Sequence, residues 1–293
     1  MRLLVLLICL AFVRTSSAAP PPEWTKPFPP FRIAGNLYYV GNADLASYLV
    51  ATPQGLILIN SSLEADVPLI KNSIEALGFH FSDIKILLIS HAHYDHCAGS
   101  AEIAKLTGAK YYVMDADVPT VESGGKTDFF FGADPSFLYP PAHVDRILHD
   151  SDTVTLGGVA LTAHLTAGHT PGDTTWTMDE IEGGRTLHAV IVGSISMNTG
   201  YKLVDNPTYP QIAADYKHTF ALLNALPCDI FLAAHGSQFD LARKYSRWKA
   251  GDKGAFLDPT GYKDFIASQE HEFEAELQRQ IGEKSRKLFK PAI

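Results

Sequence analysis

Cysteine is scarce in this chain: 293 residues carry three, Cys9, Cys97 and Cys228. Basic residues are outnumbered, 24 Lys and Arg against 32 Asp and Glu, which gives a net charge of −8. That balance argues against a nucleic-acid partner, which needs a basic face. No run of like charges, no low-complexity tract and no continuous membrane-spanning stretch interrupts the sequence. No convincing Ser-His-Asp or Ser-x-x-Lys case offers a protein nucleophile. What remains is 46% hydrophobic, enough to bury a large core in one or two domains.

The first residues read as a targeting segment. Arg2 gives a short basic start, Leu3 to Val13 is apolar, and Ser16-Ser17-Ala18 supplies small residues for cleavage. Pro20 would hinder a cut after Ala19, so residues 1–18 are expected to be removed as a signal peptide. The apolar stretch is too short for a permanent bilayer span, so the mature protein is expected to carry no membrane anchor and to work outside the cytoplasm. Removal takes Cys9 with it. Cys97 directly follows a histidine cluster, whereas Cys228 starts a strand-like run whose far end is His235. At about 3.3 Å per residue that run holds Cys228 roughly 20 Å from the cluster. A disulfide needs Cα atoms within about 7 Å, so two free thiols are predicted.

Residues 19–31 are rich in proline (Pro20, Pro21, Pro22, Pro27, Pro29, Pro30) and predict an extended arm. Strands are expected at 37–40, 46–51 and 56–59, then a helix over 67–77 with Val67, Ile70, Ile74 and Leu77 at helical spacing. A strand at 84–89, a helix over 100–106 stopped by Gly108 and a strand at 110–114 complete the first half. The second half repeats the theme, with strands near 153–156, 160–166, 174–178, 187–192 and 229–234 and helices over 212–226 and 262–288. Strand runs followed by α/β alternation, twice over, predict an α/β fold in which two sheets pack face to face with helices outside. Residues 19–293 are expected to form one domain. Residues 118–144 lack periodicity and are rich in Gly, Pro and aromatics, including Phe129-Phe130-Phe131-Gly132, which points to a functional loop or lid.

The chemistry concentrates in His91-Ala92-His93-Tyr94-Asp95-His96, which follows the apolar run 84–89. Imidazole nitrogen and carboxylate oxygen suit a borderline divalent ion such as zinc. Two further histidines stand at strand ends beside glycine: His169 in Gly168-His169-Thr170-Pro171-Gly172 and His235 before Gly236. Three strand ends thus deliver His91, His93 and His169 to one metal and Asp95, His96 and His235 to a second. Three protein ligands per ion leave positions open for water and substrate, as catalysis by two zinc ions requires. The other histidines are assigned to no metal. His164 is singled out as a candidate to stand behind a ligand.

His-x-His-x-Asp-His, followed by Gly-His-Thr and a late strand-end histidine, resembles the signature of the metallo-β-lactamase superfamily, most nearly subclass B3. The resemblance implies a four-layer αβ/βα sandwich of two mixed sheets, an exported periplasmic enzyme and a monomer. It implies hydrolysis of the β-lactam amide bond of penicillins, cephalosporins and carbapenems by a metal-bound hydroxide that Asp95 helps to orient. Lactonases and thioesterases share the fold, and a zinc hydrolase of lactones or thioesters is the alternative. Their bridging Asp is missing from Val192-Gly193-Ser194-Ile195-Ser196, as is the cysteine ligand of other lactamase subclasses. Ser194 and Ser196 resemble the pair that meets the substrate carboxylate in B3 enzymes, and Tyr201 resembles a tyrosine near the substrate carbonyl. Two departures stand out. The B3 disulfide partner of Cys228 is absent, with Tyr262 near its place, and Asn60 replaces an Asp that supports the metal loop.

Overall fold

A computed structural model of the protein describes residues 21–288. The leader expected over residues 1–18 lies outside the described residues. The chain first lays down β1 (Phe31–Ala34), β2 (Leu37–Tyr39), β3 (Tyr48–Thr52) and β4 (Gly55–Ile59) as an antiparallel meander. Helix α1 (Val67–Ala76) carries it to β5 (Ile84–Leu88), which runs parallel to β4. Short α2 (Tyr94–Cys97) and α3 (Ser100–Thr107) lead to parallel β6 (Lys110–Met114), and α4 (Val118–Ser123) lies before β7 (Arg146–Leu148) at the edge. The order of this seven-stranded sheet is the chain order.

The second sheet is built the same way. Strands β8 (Thr153–Leu156), β9 (Val159–Leu165), β10 (Thr174–Glu182) and β11 (Arg185–Val192) are antiparallel. Helix α5 (Ile212–Ala225) then crosses to β12 (Ile230–Ala233), parallel to β11. Helices α6 (Leu241–Lys249) and α7 (Pro259–Leu288) follow.

Alternation along the strands explains the layering. Ile57 and Ile59 of β4 and Ile86 and Leu88 of β5 turn inward and join Trp176, Met178, Ala189 and Ile191 in the core between the sheets. Leu56, Leu58 and Leu87 turn the other way and meet Ile70, Ile74 and Ile103 of α1 and α3. Strand β5 is covered on both faces, which is why its sequence is an apolar run rather than an alternation. On the far side α5 and α7 pack together through Tyr216, Phe220 and Phe273. The two-sheet sandwich with outer helices is the architecture that the periodicity predicts.

The differences have local causes. The β10–β11 hairpin is longer than expected because Glu180, a charged residue at an inward position, interrupts the apolar pattern while remaining buried. Gly183 and Gly184, both at positive φ, make its two-residue turn. Strand β1 begins inside the expected arm. Helix α6 is rich in Arg and Lys and shows little apolar pattern, yet it buries Lys244 against Asp258 at 2.9 Å. Helix α4 lies in the segment expected to be irregular, where Pro119 stands in its first turn and Gly124 ends it.

Cys97 and Cys228 are both free thiols, as expected. Where a disulfide partner is missing, Tyr262 of α7 donates to the Leu223 carbonyl of α5 at 2.7 Å and pins the two helices together. No helix among the described residues is long and apolar enough to cross a membrane.

Candidate metal centre

Strand ends from both sheets meet at one point. His91 lies just beyond β5, His169 in the turn between β9 and β10, and His235 just beyond β12. The β2–β3 connection holds that last strand end: Ala46 N donates to Ala234 O at 3.0 Å, and Gly236 N donates to Asp44 O at 2.6 Å. Asn60 sits behind the first. Its Oδ1 accepts from Ser90 N at 2.7 Å and its Nδ2 donates to Ala46 O at 3.3 Å, so the amide braces the residue before His91. Its φ of 64° is a conformation that asparagine tolerates better than most residues.

All six expected ligand residues come together. His91, His93 and His169 present ligand atoms within 4.8 Å of one another, as do His91, Asp95 and His96. His235 joins the second set: its Nε2 is 3.2 Å from His96 Nε2 and 3.6 Å from Asp95 Oδ2, and His96 Nε2 is 3.2 Å from the same oxygen. His91, His93, Asp95, His96 and His169 are all buried, and His235 is half-buried.

The tautomers decide what this cluster can hold. His169 Nδ1 is 2.7 Å from Ser196 O, a carbonyl that can only accept, so its proton is there and Nε2 carries a lone pair. His235 Nδ1 faces Asp44 Oδ2 at 3.1 Å, which likewise leaves Nε2 with a lone pair. His93 Nε2 faces Asp128 Oδ2 at 3.4 Å, turning Nδ1 toward His169 Nε2 at 3.0 Å. His91 Nδ1 lies beside Ser90 Oγ at 3.1 Å and Asp173 Oδ2 at 3.3 Å, while its buried Nε2 has no partner at all. Lone pairs at 3.0 Å repel unless a cation lies between them. Two ligands at about 2.0–2.1 Å from a tetrahedral zinc stand roughly 3.3 Å apart, close to the spacings seen here. The donor set therefore fits a metal ion, and the outward Nδ1–H groups of His169 and His235, directed to a carbonyl and a carboxylate, are oriented as those of metal-bound imidazoles are.

The electrostatics point the same way. Burial, reinforced by the neighbouring rings, holds His91 well below the usual imidazole range and takes His169 down to about 3. Both rings are neutral at physiological pH. Burial opposes ionisation of Asp95, but the His96 and His235 rings outweigh it and keep the carboxylate charged. Burial likewise opposes a charge on His235, and Asp44 with Asp95 reverses the sign, so its pKa is raised.

The carboxylates behind the ligands were not legible in the sequence. Asp44 accepts from His235, from Trp24 Nε1 at 3.1 Å and from Ser237 N at 2.9 Å. Asp173 accepts from Thr166 Oγ1 and Ser194 N. Asp117 accepts from Ala92 N, Thr170 Oγ1 and Gly172 N, stitching the His91 loop to the His169 turn; burial raises its carboxyl to about 6. None of the three adjoins its partner in sequence, except that Asp173 ends the glycine turn after His169.

Tyr201 Oη donates to His169 O at 2.8 Å and accepts from Asn198 Nδ2 at 3.0 Å. At 3% exposure it orients a ligand from behind. Ser194 is buried and enters the site through its backbone N–H. Ser196, half-buried, lends its carbonyl to His169 and to Tyr216 Oη. His164 is not near the cluster's hydrogen bonds: it pairs with Thr177 Oγ1 across β9 and β10.

Aromatic rings join the two halves of the cluster in an arc. His235 meets Trp24 (5.7 Å), Trp24 meets Tyr94 (6.1 Å), Tyr94 meets Phe137 (5.4 Å), Phe137 stacks on Phe131 (4.1 Å), and Phe131 meets His93 (5.2 Å). The loop read as a lid thus packs directly against a ligand. Two hollows of about 810 and 750 Å³ lie elsewhere: one between Tyr201 and α7, the other on the outer face of β9 and β10.

Fold and site together define a metal-dependent hydrolase scaffold. The chain belongs to the metallo-beta-lactamase superfamily, whose family model matches residues 45–235. It is 58% identical to the FEZ-1 metallo-beta-lactamase from Legionella gormanii, with 87% of this chain and 98% of that one covered and a TM-score of 0.87. It is also similar to LRA-12, a class B3 di-zinc metallo-beta-lactamase from an Alaskan soil metagenome (38% identity, 88% and 98% covered, TM-score 0.85). GOB-18 from Elizabethkingia meningoseptica is similar too (37% identity, 90% and 97% covered, TM-score 0.85). A probable metallo-hydrolase from Burkholderia pseudomallei (strain 1710b) aligns at 30% identity over 107 residues, 36% of this chain and 34% of that protein.

Proposed function

We propose that this protein hydrolyses the β-lactam amide bond with two zinc ions, one held by His91, His93 and His169 and the other by Asp95, His96 and His235. The observation that carries the reading is the convergence of imidazole lone pairs, with the outward protons of His169 and His235 already committed to Ser196 O and Asp44. Its support is the likeness to B3 enzymes over nearly nine-tenths of the chain. Zinc, when bound, acidifies water to a pKa of about 7 and polarises a carbonyl, so no protein nucleophile is required.

The chain's own residues prepare the rest. Buried, neutral His91 and His169 donate electron pairs without competing for protons. Asp95, kept ionised among the rings, accepts a proton-bearing water and fixes its direction. Ser196 and Ser194 are assigned to the substrate carboxylate. The rings of Trp24, Tyr94, Phe131 and Phe137 exclude water along one side and offer flat apolar surface to substrate side groups. The apolar segment 3–13 supports export to the periplasm, where the protein is expected to act as a monomer.

A lactone or thioester hydrolase would use the same scaffold, and substrate comparison separates the two. Purified zinc-loaded protein is expected to open imipenem, followed by its absorbance. An acyl-homoserine lactone is expected to turn over more slowly by on the order of 100-fold or more. The reverse order of rates would overturn the lactamase reading.

A further inference from the structure

The aromatic loop and the metal cluster share one carboxylate. Asp128, its side chain 4% exposed, uses its two oxygens differently. Oδ1 accepts from Phe130 N at 2.8 Å and from Phe131 N at 2.5 Å, which closes the turn presenting Phe131. Oδ2 faces His93 Nε2 at 3.4 Å, and that buried nitrogen has no hydrogen-bond partner. The turn is tight: Gly132 N donates to Asp128 O at 3.3 Å, and a Cβ on Gly132 would lie 2.5 Å from Lys126 O. Burial opposes the charge on Asp128, but the His93 ring and the two backbone N–H groups prevail and hold its carboxyl below the usual range.

The same loop reaches a second ligand. Phe129 and Phe130 pack on Tyr201 at 5.1 and 4.8 Å, and Tyr201 holds the His169 carbonyl. Residues 128–131 therefore bracket two of the three side chains assigned to one metal: Asp128 and Phe131 bear on His93, and Phe129 and Phe130 act on His169 through Tyr201.

We infer that Asp128 is a positioning residue that joins the His93 ring and the aromatic loop into one unit, so that zinc binding at His93 orders the loop. The inference rests on the metal assignment above. A cation on Nδ1 makes Nε2–H a stronger donor and draws it onto Oδ2, while Oδ1 keeps the turn closed. A carboxylate serving the turn alone would leave zinc affinity untouched.

Asp128→Asn separates the two roles, because its amide oxygen still accepts from the turn while its NH₂ cannot accept from His93. Asp128→Ser is a second variant: its hydroxyl can cap the turn but is too short to reach the ring. Zinc affinity is measured by competition with a chromophoric chelator, and amide exchange of residues 126–137 is followed with and without zinc. Both variants are expected to bind zinc about 10- to 100-fold more weakly. Zinc is expected to slow exchange across the loop in the unaltered protein and to do so much less in Asp128→Asn at saturating metal. Zinc affinity within about twofold of the unaltered protein in both variants, where 10- to 100-fold is expected, would overturn the inference, as would loop exchange indifferent to zinc. Failure of the unaltered protein to bind zinc would instead overturn the metal assignment itself.

Discussion

Dialysis against a chelator is expected to abolish carbapenem hydrolysis, with turnover falling by at least on the order of 1,000-fold, and two equivalents of zinc should restore it. The magnitude follows from what a Lewis acid supplies, several kcal/mol of transition-state stabilisation, at about 1.4 kcal/mol per factor of ten. The structure offers nothing to replace it. Ser194 is buried with its N–H on Asp173, Tyr201 has spent its proton on His169 O, and Ser90, beside His91 Nδ1 at 3.1 Å, is itself buried. Cys97 is an inert alternative, since burial pushes its thiol well above the usual range. Initial rates on imipenem before chelation, after it and through a zinc titration check the prediction. Magnesium, which prefers oxygen ligands, should not restore turnover.

The second large effect is expected from His91→Ala. His91 supplies the one ligand nitrogen that is fully buried without any partner, and its ring touches those of His93, His96 and His169 at centroid distances of 4.4–4.8 Å. Removing it deletes a ligand at the centre of the cluster. We expect kcat/KM to fall on the order of 1,000-fold and zinc content to drop toward one ion per chain, with the second set still occupied. The fold should persist, because Asp117, Asn60 and the strand ladders hold the loop independently of the ring. Metal analysis and kinetics on the same preparation, beside a circular dichroism spectrum, give the answer. Unchanged zinc content would show that His91 is not a ligand.

The ligands were legible because strand ends and glycine turns impose them locally. A continuous apolar run ending in His-x-His-x-Asp-His leaves few places for those side chains to go, and glycines beside His169 and His235 announce a crowded site. The sandwich was legible for a similar reason, since the alternation of Leu56, Leu58 with Ile57, Ile59 can be satisfied only between two layers. The supporting carboxylates were not, because Asp44, Asp117 and Asp128 lie 191, 25 and 35 positions from the ligand or ligand-loop residue each one holds. The hydrogen bonds of Tyr201 were not legible for a related reason. Its place near the site could be inferred, but which oxygen its proton serves depends on the path of the His169 turn. Helix α6 escaped notice because its inward face includes Lys244, whose charge is neutralised by Asp258 nine residues beyond the helix.

The most direct measurement is the position of zinc in crystals of the zinc-loaded protein, located by anomalous scattering at the zinc edge. The account predicts two peaks. One is bonded to His91 Nε2, His93 Nδ1 and His169 Nε2, and the other to Asp95, His96 Nε2 and His235 Nε2. A lone peak, or peaks bonded to other side chains, would contradict it.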